Sequence, residues 1–289
     1  MNLINNSLEN ENYRLLTGAL RIFGNFSYSD YNNYVIEYDH KHMDYQLLIE
    51  RYNLHKIAGN ETDLEKSINI MRWVSNNVLH NGNNNDIENI KCDALSILNY
   101  SFGKGIEFGL ICRHQAIVFT ECCLSIGLKA KTIHCLPFSP YDFESHVVSM
   151  VYLKELNKWG MFDPTNNAYF MNDKGIVLSP IEARYYLSID RIEINNDIKK
   201  NTDYYKRYMA KNLFYIKYWA INTLGTDLID NQKTYYLIPF GFNVKEREIC
   251  YCQYAIENTS GTNKNSWKRE LEKLKFSDIN IVSEMQFLK

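Results

Sequence analysis

Three residues, Cys112, His146 and Asp163, stand in settings that suit covalent chemistry. Gly109 breaks the chain ahead of a run with helical spacing: Cys112, Ala116, Phe119, Cys123 and Ile126. Gly127 then supplies the left-handed stop expected at a helix C-terminus. Cys112 is thus expected in a first helical turn, where unpaired N–H groups and the helix dipole favour a thiolate. The thiolate is the nucleophilic form, and a neighbouring histidine favours it further.

The elements that must position the other two are strands. Val147, Val148, Met150, Val151, Tyr152 and Leu153 form a β-branched, apolar strand, and Trp159, Met161 and Phe162 a second. The polar stretch from Lys154 to Lys158 between them reads as a hairpin loop. His146 and Asp163 lie 17 positions apart (163 − 146), with their midpoint near that loop. An antiparallel hairpin therefore brings both to its open end, within a register step or two. There an aspartate can hold the imidazole in one tautomer and stabilise its protonated form. Pro164 has no N–H to donate and ends the strand, leaving Asp163 at a rim.

This pattern resembles the transglutaminase-like superfamily. The resemblance rests on Gly-x-x-Cys at Gly109 to Cys112 and Gly-Leu-Lys-Ala-Lys at Gly127 to Lys131. The His-Val-Val strand at His146 to Val148 and Trp-x-x-x-Asp-Pro-Thr at Trp159 to Thr165 extend it. The segment from Asn172 to Ser179 looks like an extension of the bacterial members, and the match runs from near Thr62 to about Tyr186. It implies an α+β fold, papain-like in layout, with a helical layer carrying Cys112 packed on an antiparallel sheet carrying His146 and Asp163. It also implies attack of the Cys112 thiolate on a carbonyl carbon, a thioester acyl-enzyme, and release to water or to an amine. Hydrolysis of peptide or amide bonds takes precedence, since water is always available. The Cys112 N–H is the expected first oxyanion donor; the second is not identifiable. The other reading is a binding or scaffolding module that keeps the fold without turnover, since the family includes members that have lost activity.

The remaining candidates read as structural. His114 lies about 200° round the helix from Cys112 and faces elsewhere. His134, mid-strand and without a partner acid, is the weaker base. Cys122, Cys123 and Cys135 are small buried hydrophobes. A metal site from Cys92, Cys135 and His134 lacks a tight ligand pair, and His40 and His42 are solvated surface residues. Cys250 and Cys252 alternate on a strand and carry no redox spacing. Asn76, Asn77 and His80, at the end of a helix, border the cleft in the family comparison but are read as a polar helix end. No cofactor or metal is expected.

A net charge of −2 with dispersed Lys and Arg points away from nucleic acid and acidic membranes. The expected partner is a peptide or protein substrate, and oligomeric state is left open. The polar amino-terminal stretch has no secretory h-region, and no run reaches the ~18 apolar residues of a membrane span. Seven cysteines without a disulfide framework suit a reducing, cytoplasmic setting.

In chain order, residues 1–60 are expected to pack on the core, with short strands within 13–60 (Tyr28, Tyr31, Tyr34, Val35, Ile36, Tyr38) and then a helix from Asp44 to Tyr52. The core spans 61–190. Thr62 and Glu65 form a capping box for a helix carrying Leu64, Ile68, Met71 and Val78 and ending at Asn81-Gly82. An asparagine-rich loop to Asn89, a helix from Asp93 to Tyr100 and Gly103-Lys-Gly105 follow. Ser179, Pro180 and Glu182 open another helix, to about Leu187. The extension 191–289 is read as α/β, either completing the same domain or forming a small appended one. It is expected to hold a helix from Tyr204 to Trp219, strands at Tyr235 to Pro239 and Glu248 to Ile256, and a last helix around Trp267, Leu271 and Leu274.

Overall fold

The computed structural model describes residues 2–28, 34–81, 90–104 and 108–289. A long helix α1 (Asn2–Ile22) and a short strand β1 (Glu37–Tyr38) precede four helices: α2 (Tyr45–Tyr52), α3 (Leu54–Ala58), α4 (Asp63–Asn77) and α5 (Ala94–Lys104). The central helix α6 (Cys112–Ser125) leads into β2 (Ala130–Leu136), β3 (His146–Leu153), β4 (Lys158–Asp163) and β5 (Ala168–Met171). Next come α7 (Pro180–Ser188), β6 (Glu193–Ile194), α8 (Thr202–Asn212), β7 (Tyr215–Trp219), β8 (Ile221–Asn222) and β9 (Thr234–Leu237). Helices α9 (Val244–Asn258) and α10 (Gly261–Phe276), strand β10 (Asn280–Ile281) and helix α11 (Glu284–Phe287) complete the chain.

Eight strands form one sheet in the order β10-β9-β7-β2-β3-β4-β5-β6, antiparallel except for the β10–β9 edge. Each face buries its own core. One takes Leu20 of α1, Ala183 and Leu187 of α7, Met209 of α8 and Phe287 of α11. The other takes α2 to α6, with Leu48, Met71, Ile97 and Phe119. This is the α+β arrangement expected, with helices packed on a largely antiparallel sheet.

The local signals explain most boundaries. Thr62 accepts from the Glu65 N–H while Glu65 reaches back to the Thr62 N–H, and Ser179 and Glu182 do the same for α7. Each such cap is worth about 1 kcal/mol. Gly127 takes φ +84, the left-handed stop after α6. Leu153 and Asn157 flank one 3₁₀ turn that closes the β3–β4 hairpin.

Several expectations fail. Residues 2–22 are helical, and among the described residues of the 28–38 stretch the strand is only Glu37–Tyr38; Tyr31 lies outside the described residues. Helix α4 stops at Asn77, and Leu79 to Asn81 instead pair with the segment before Cys112. Residues 82–89 and Gly105 lie outside the described residues. The run read as one helix from Tyr204 to Trp219 is α8 followed by β7, because Tyr215 to Trp219 alternate faces between β2 and β9. The strand expected over Glu248 to Ile256 is α9, so Cys250 and Cys252 sit on a helix. There Cys252 packs with Leu271 and Leu274, an i, i+3/i+4 contact pattern overriding β-type composition.

Candidate active site

Helix α6 is encased, with every residue from His114 to Ser125 buried. Its polar side chains lock it to its neighbours. Thr132 donates to Thr120 (2.9 Å), Thr120 to Ser149 (2.9 Å), and Ser149 back to the Ala116 carbonyl (3.1 Å). This hydroxyl chain ties the helix to β2 and β3, and so sets Cys112 relative to His146. Glu121, fully buried, accepts the N–H groups of Ala94 and Gly225 (2.7 and 2.8 Å). Burial is the main reason its carboxyl is pushed well above the usual range, with Asp93 and Asp227 adding to it against the two N–H bonds. Gln115 donates to the Val78 carbonyl, fastening α6 to the end of α4.

Ile111 precedes Cys112 in extended conformation and offers no side-chain cap. The Cys112 N–H therefore keeps the outward-facing character of a helix start, where a developing oxyanion can be received.

Extending the β3–β4 register sets Asp163 opposite Val148, two residues from His146 and on the same face. The imidazole Nε2 lies 2.6 Å from Asp163 Oδ2, and both side chains are buried. Asp163 is held by more than the histidine. Its Oδ2 also accepts from Asn166 Nδ2 (2.8 Å) and the Tyr205 hydroxyl (2.9 Å), and its Oδ1 from the N–H groups of Thr165 and Asn166 (3.0 and 3.2 Å). Burial works against this carboxylate, but the His146 charge and these donors outweigh it and hold its pKa below the ordinary value.

For His146 burial again works against charge, yet Asp163, by charge and hydrogen bond, and then Cys112 push the imidazole up to about 10. The other ring nitrogen, Nδ1, is buried without a well-directed hydrogen bond. Cys112, half-buried, interacts with this imidazole both as a hydrogen-bonding group and as a charge. The pair is thus adjacent but not closed into an aligned bond, a common state before substrate binds. Tyr208 packs edge-on to the imidazole, with ring centroids 5.1 Å apart. Both tyrosines come from α8, in the stretch that carried no functional signal in the sequence. Asn166 did leave one, since Asp-Pro-Thr-Asn suits a turn in which the aspartate accepts the following N–H groups.

The Leu79–Asn81 segment borders this site. Leu110 donates to the Leu79 carbonyl (2.6 Å) and Asn81 to the Leu110 carbonyl (2.8 Å), pairing His80 with Leu110 just ahead of Cys112. A Cβ on Gly109 would fall 2.6 Å from Asn81 Cβ and 2.8 Å from the His80 carbonyl carbon, so this approach requires glycine. The His80 imidazole is pulled below its ordinary pKa by burial and then by His146, which puts it in electrostatic range of the pair.

The other candidates disperse as their strand and helix positions dictate. His114 is buried against Cys92, 4.0 Å from its sulfur, and burial pushes its pKa down to about 4. His134 packs at a tilt against Trp219 (ring centroids 5.5 Å apart), whereas Cys135 lies in the core of the opposite face. The metal grouping of Cys92, Cys135 and His134 is thus split between faces, and among the described residues no cluster of three or more His, Cys, Asp or Glu could hold a metal ion.

Residues 51–164 match the family model of the transglutaminase-like superfamily. That stretch is thus transglutaminase-like, and it contains Cys112, His146 and Asp163. A solved structure from Cytophaga hutchinsonii, of a "putative cysteine protease", is similar over 53% of this chain and 48% of its own length, with 18% identity and a TM-score of 0.32. The chain thus spans about half the length of that neighbour. No curated protein matches the chain. Among the described residues, no helix is long and apolar enough to cross a membrane.

Proposed function

We propose that this protein is a cysteine acyl-transfer enzyme acting on peptide or amide bonds. The observation that carries the reading is the buried His146–Asp163 pair with the half-buried Cys112, at a helix start, against the same imidazole. In this reading the Cys112 sulfur attacks the carbonyl carbon, and the carbonyl electron pair moves onto oxygen. The Cys112 N–H and the His80 side chain receive that oxyanion. His146 passes its proton to the leaving amine as the carbonyl re-forms, giving a thioester on Cys112. Neutral His146 then takes a proton from water, and the hydroxide releases a carboxylic acid; an amine in place of water gives a new amide. Asp163 keeps the imidazole oriented and stabilises its charge throughout.

Hydrolysis is the proposed default, with a peptide or protein as substrate. Seven free cysteines fit a reducing compartment, and the cytoplasm is the one we propose. The test is selective alkylation of Cys112 by iodoacetamide at neutral pH, read by peptide mass spectrometry, with cleavage of a peptide library run alongside. Wild type is expected to label at Cys112 ahead of the other six cysteines and to cleave, and His146→Ala to do neither. Labelling of Cys112 no faster than the rest, with no cleavage, would sink the proposal.

A further inference from the structure

Between the sheet and the α9–α10 hairpin lies a cavity of about 730 Å³, large enough for a short peptide segment. Arg113 and Ser145, the sequence neighbours of Cys112 and His146, line it, although the His146 side chain lies on the other face of the sheet from His134 and Lys217. Its floor is a cross-strand row: His134 pairs with Lys217, and Lys217 with Tyr236.

The polar groups of this cavity are unevenly satisfied. Three of its carboxylates are occupied: Asp227 accepts from Arg113 (2.5 Å) and Trp219 Nε1 (2.6 Å), Glu248 from Arg247 (2.9 Å) and the Tyr215 hydroxyl, and Asp142 from Lys211 (2.9 Å) and the Glu144 N–H (2.8 Å). Donors are left over. Arg247 is 6% exposed, yet among the described residues its Nε–H has no partner, and neither has the shielded Nε2 of His134. Lys217 interacts with the Tyr236 hydroxyl but, among the described residues, has no carboxylate within ion-pair distance. Although burial opposes it, its ammonium is stabilised by Tyr236, Glu248 and Glu270, so the charge persists at neutral pH. Unpaired buried donors are costly and call for an acceptor. Glu270, half-buried on α10, and the exposed Asp278 are lining carboxylates for which no donor is seen among the described residues. Glu270 interacts electrostatically with Lys217 without pairing to it, so it suits a ligand that also carries N–H donors.

We propose that this cavity recognises the substrate through a carboxylate, taking a short peptide segment whose acidic group seats on Lys217, Arg247 and His134. The substrate role rests on the function proposed above; the binding itself does not. Either an Asp or Glu side chain or a free C-terminus could supply the carboxylate.

Binding is measured by calorimetry on full-length Cys112→Ala, which cannot turn substrate over. One probe pair is acetyl-Ala-Ala-Glu-amide against its Gln counterpart; the other is acetyl-Ala-Ala-Ala with a free against an amidated C-terminus. The acidic member of at least one pair is expected to bind at least about tenfold more tightly, the loss typical of a charged hydrogen bond. Which pair responds identifies the source of the carboxylate. Lys217→Met on this background should remove the preference and Lys217→Arg keep it. The His134 side-chain nitrogen resonances of the unaltered cavity should move with the acidic probe alone, a readout that does not depend on how the Lys217 variants fold. No acidic preference, no binding at millimolar concentration, or a preference that survives in a folded Lys217→Met overturns the proposal. Acid-selective binding without turnover by wild type would instead refute the proposed function and leave this site standing, and turnover without acid preference would do the reverse.

Discussion

Replacing Asp163 by Asn separates what holds the imidazole from what charges it. The amide keeps the shape of the carboxylate but loses its negative charge. In the wild type burial draws the His146 pKa down, and Asp163 is the main influence overcoming it, lifting it from 6.5 to about 10. Without that charge burial prevails, and the imidazole should titrate below its ordinary value. The swing exceeds about three pH units, or roughly 4 kcal/mol of proton affinity. The sign for stability follows. His146 holds its proton more tightly folded than unfolded, so its contribution is complete below about 6.5 and lost as pH rises through about 10. Asp163, held low, contributes above 3.8 and loses this as pH falls. Wild type should therefore lose melting temperature between pH 7 and 10, and Asp163→Asn should not. NMR titration of the His146 ring gives the pKa directly, and iodoacetamide labelling at pH 7 should slow by one to two orders of magnitude, since a contact ion pair is worth up to about 4 kcal/mol at an effective dielectric constant of about 20. A wild-type imidazole titrating near 6.5, or labelling rates within about threefold, would refute the reasoning.

Three further substitutions probe the surroundings. Gly109→Ala must displace the Leu79–Asn81 backbone and should cost about 1–3 kcal/mol in a melting experiment, with a loss of turnover larger than stability explains. Tyr205→Phe removes one of five donors to Asp163; it should cost about 1.5–3 kcal/mol of stability but less than about tenfold in kcat, because four donors remain. His80→Ala should lower kcat by about a hundredfold or more with KM little changed, and His80→Gln should recover part of it; an unchanged kcat would remove His80 from the oxyanion role.

What could be read in the sequence was what local chemistry dictates. The cap pairs Thr62–Glu65 and Ser179–Glu182, the Gly127 stop and the β3–β4 hairpin depend on neighbours a few residues apart, and each is found as expected. The misread elements are those whose local preference is overruled by packing. Tyr215 to Trp219 follow α8 without a breaker, and only pairing with β2 and β9 makes them a strand. Ile249 to Tyr254 have β-type composition, yet Cys252 packs onto Leu271 and Leu274 of α10 as a helix. Tyr205 was invisible for a stronger reason: its bond to Asp163 spans 42 residues, and no short-range pattern marks one tyrosine among 22.

That long-range bond bears on how the site works. The family match ends at residue 164, but the environment of Asp163 does not: Thr165, Asn166 and Tyr205 supply four of its five donors. A carboxylate with both oxygens occupied has little freedom to rotate and stays ionised despite burial. The imidazole it holds is thereby fixed in orientation, and Tyr208, from the same helix as Tyr205, packs against its edge. Helix α8 is joined through β7 to Lys217 on the cavity floor. The segment after residue 190 thus supplies both a donor to Asp163, the acid proposed to orient His146, and the cation proposed to seat the substrate, so a mutation that loosens α8 should alter KM and the His146 pKa together.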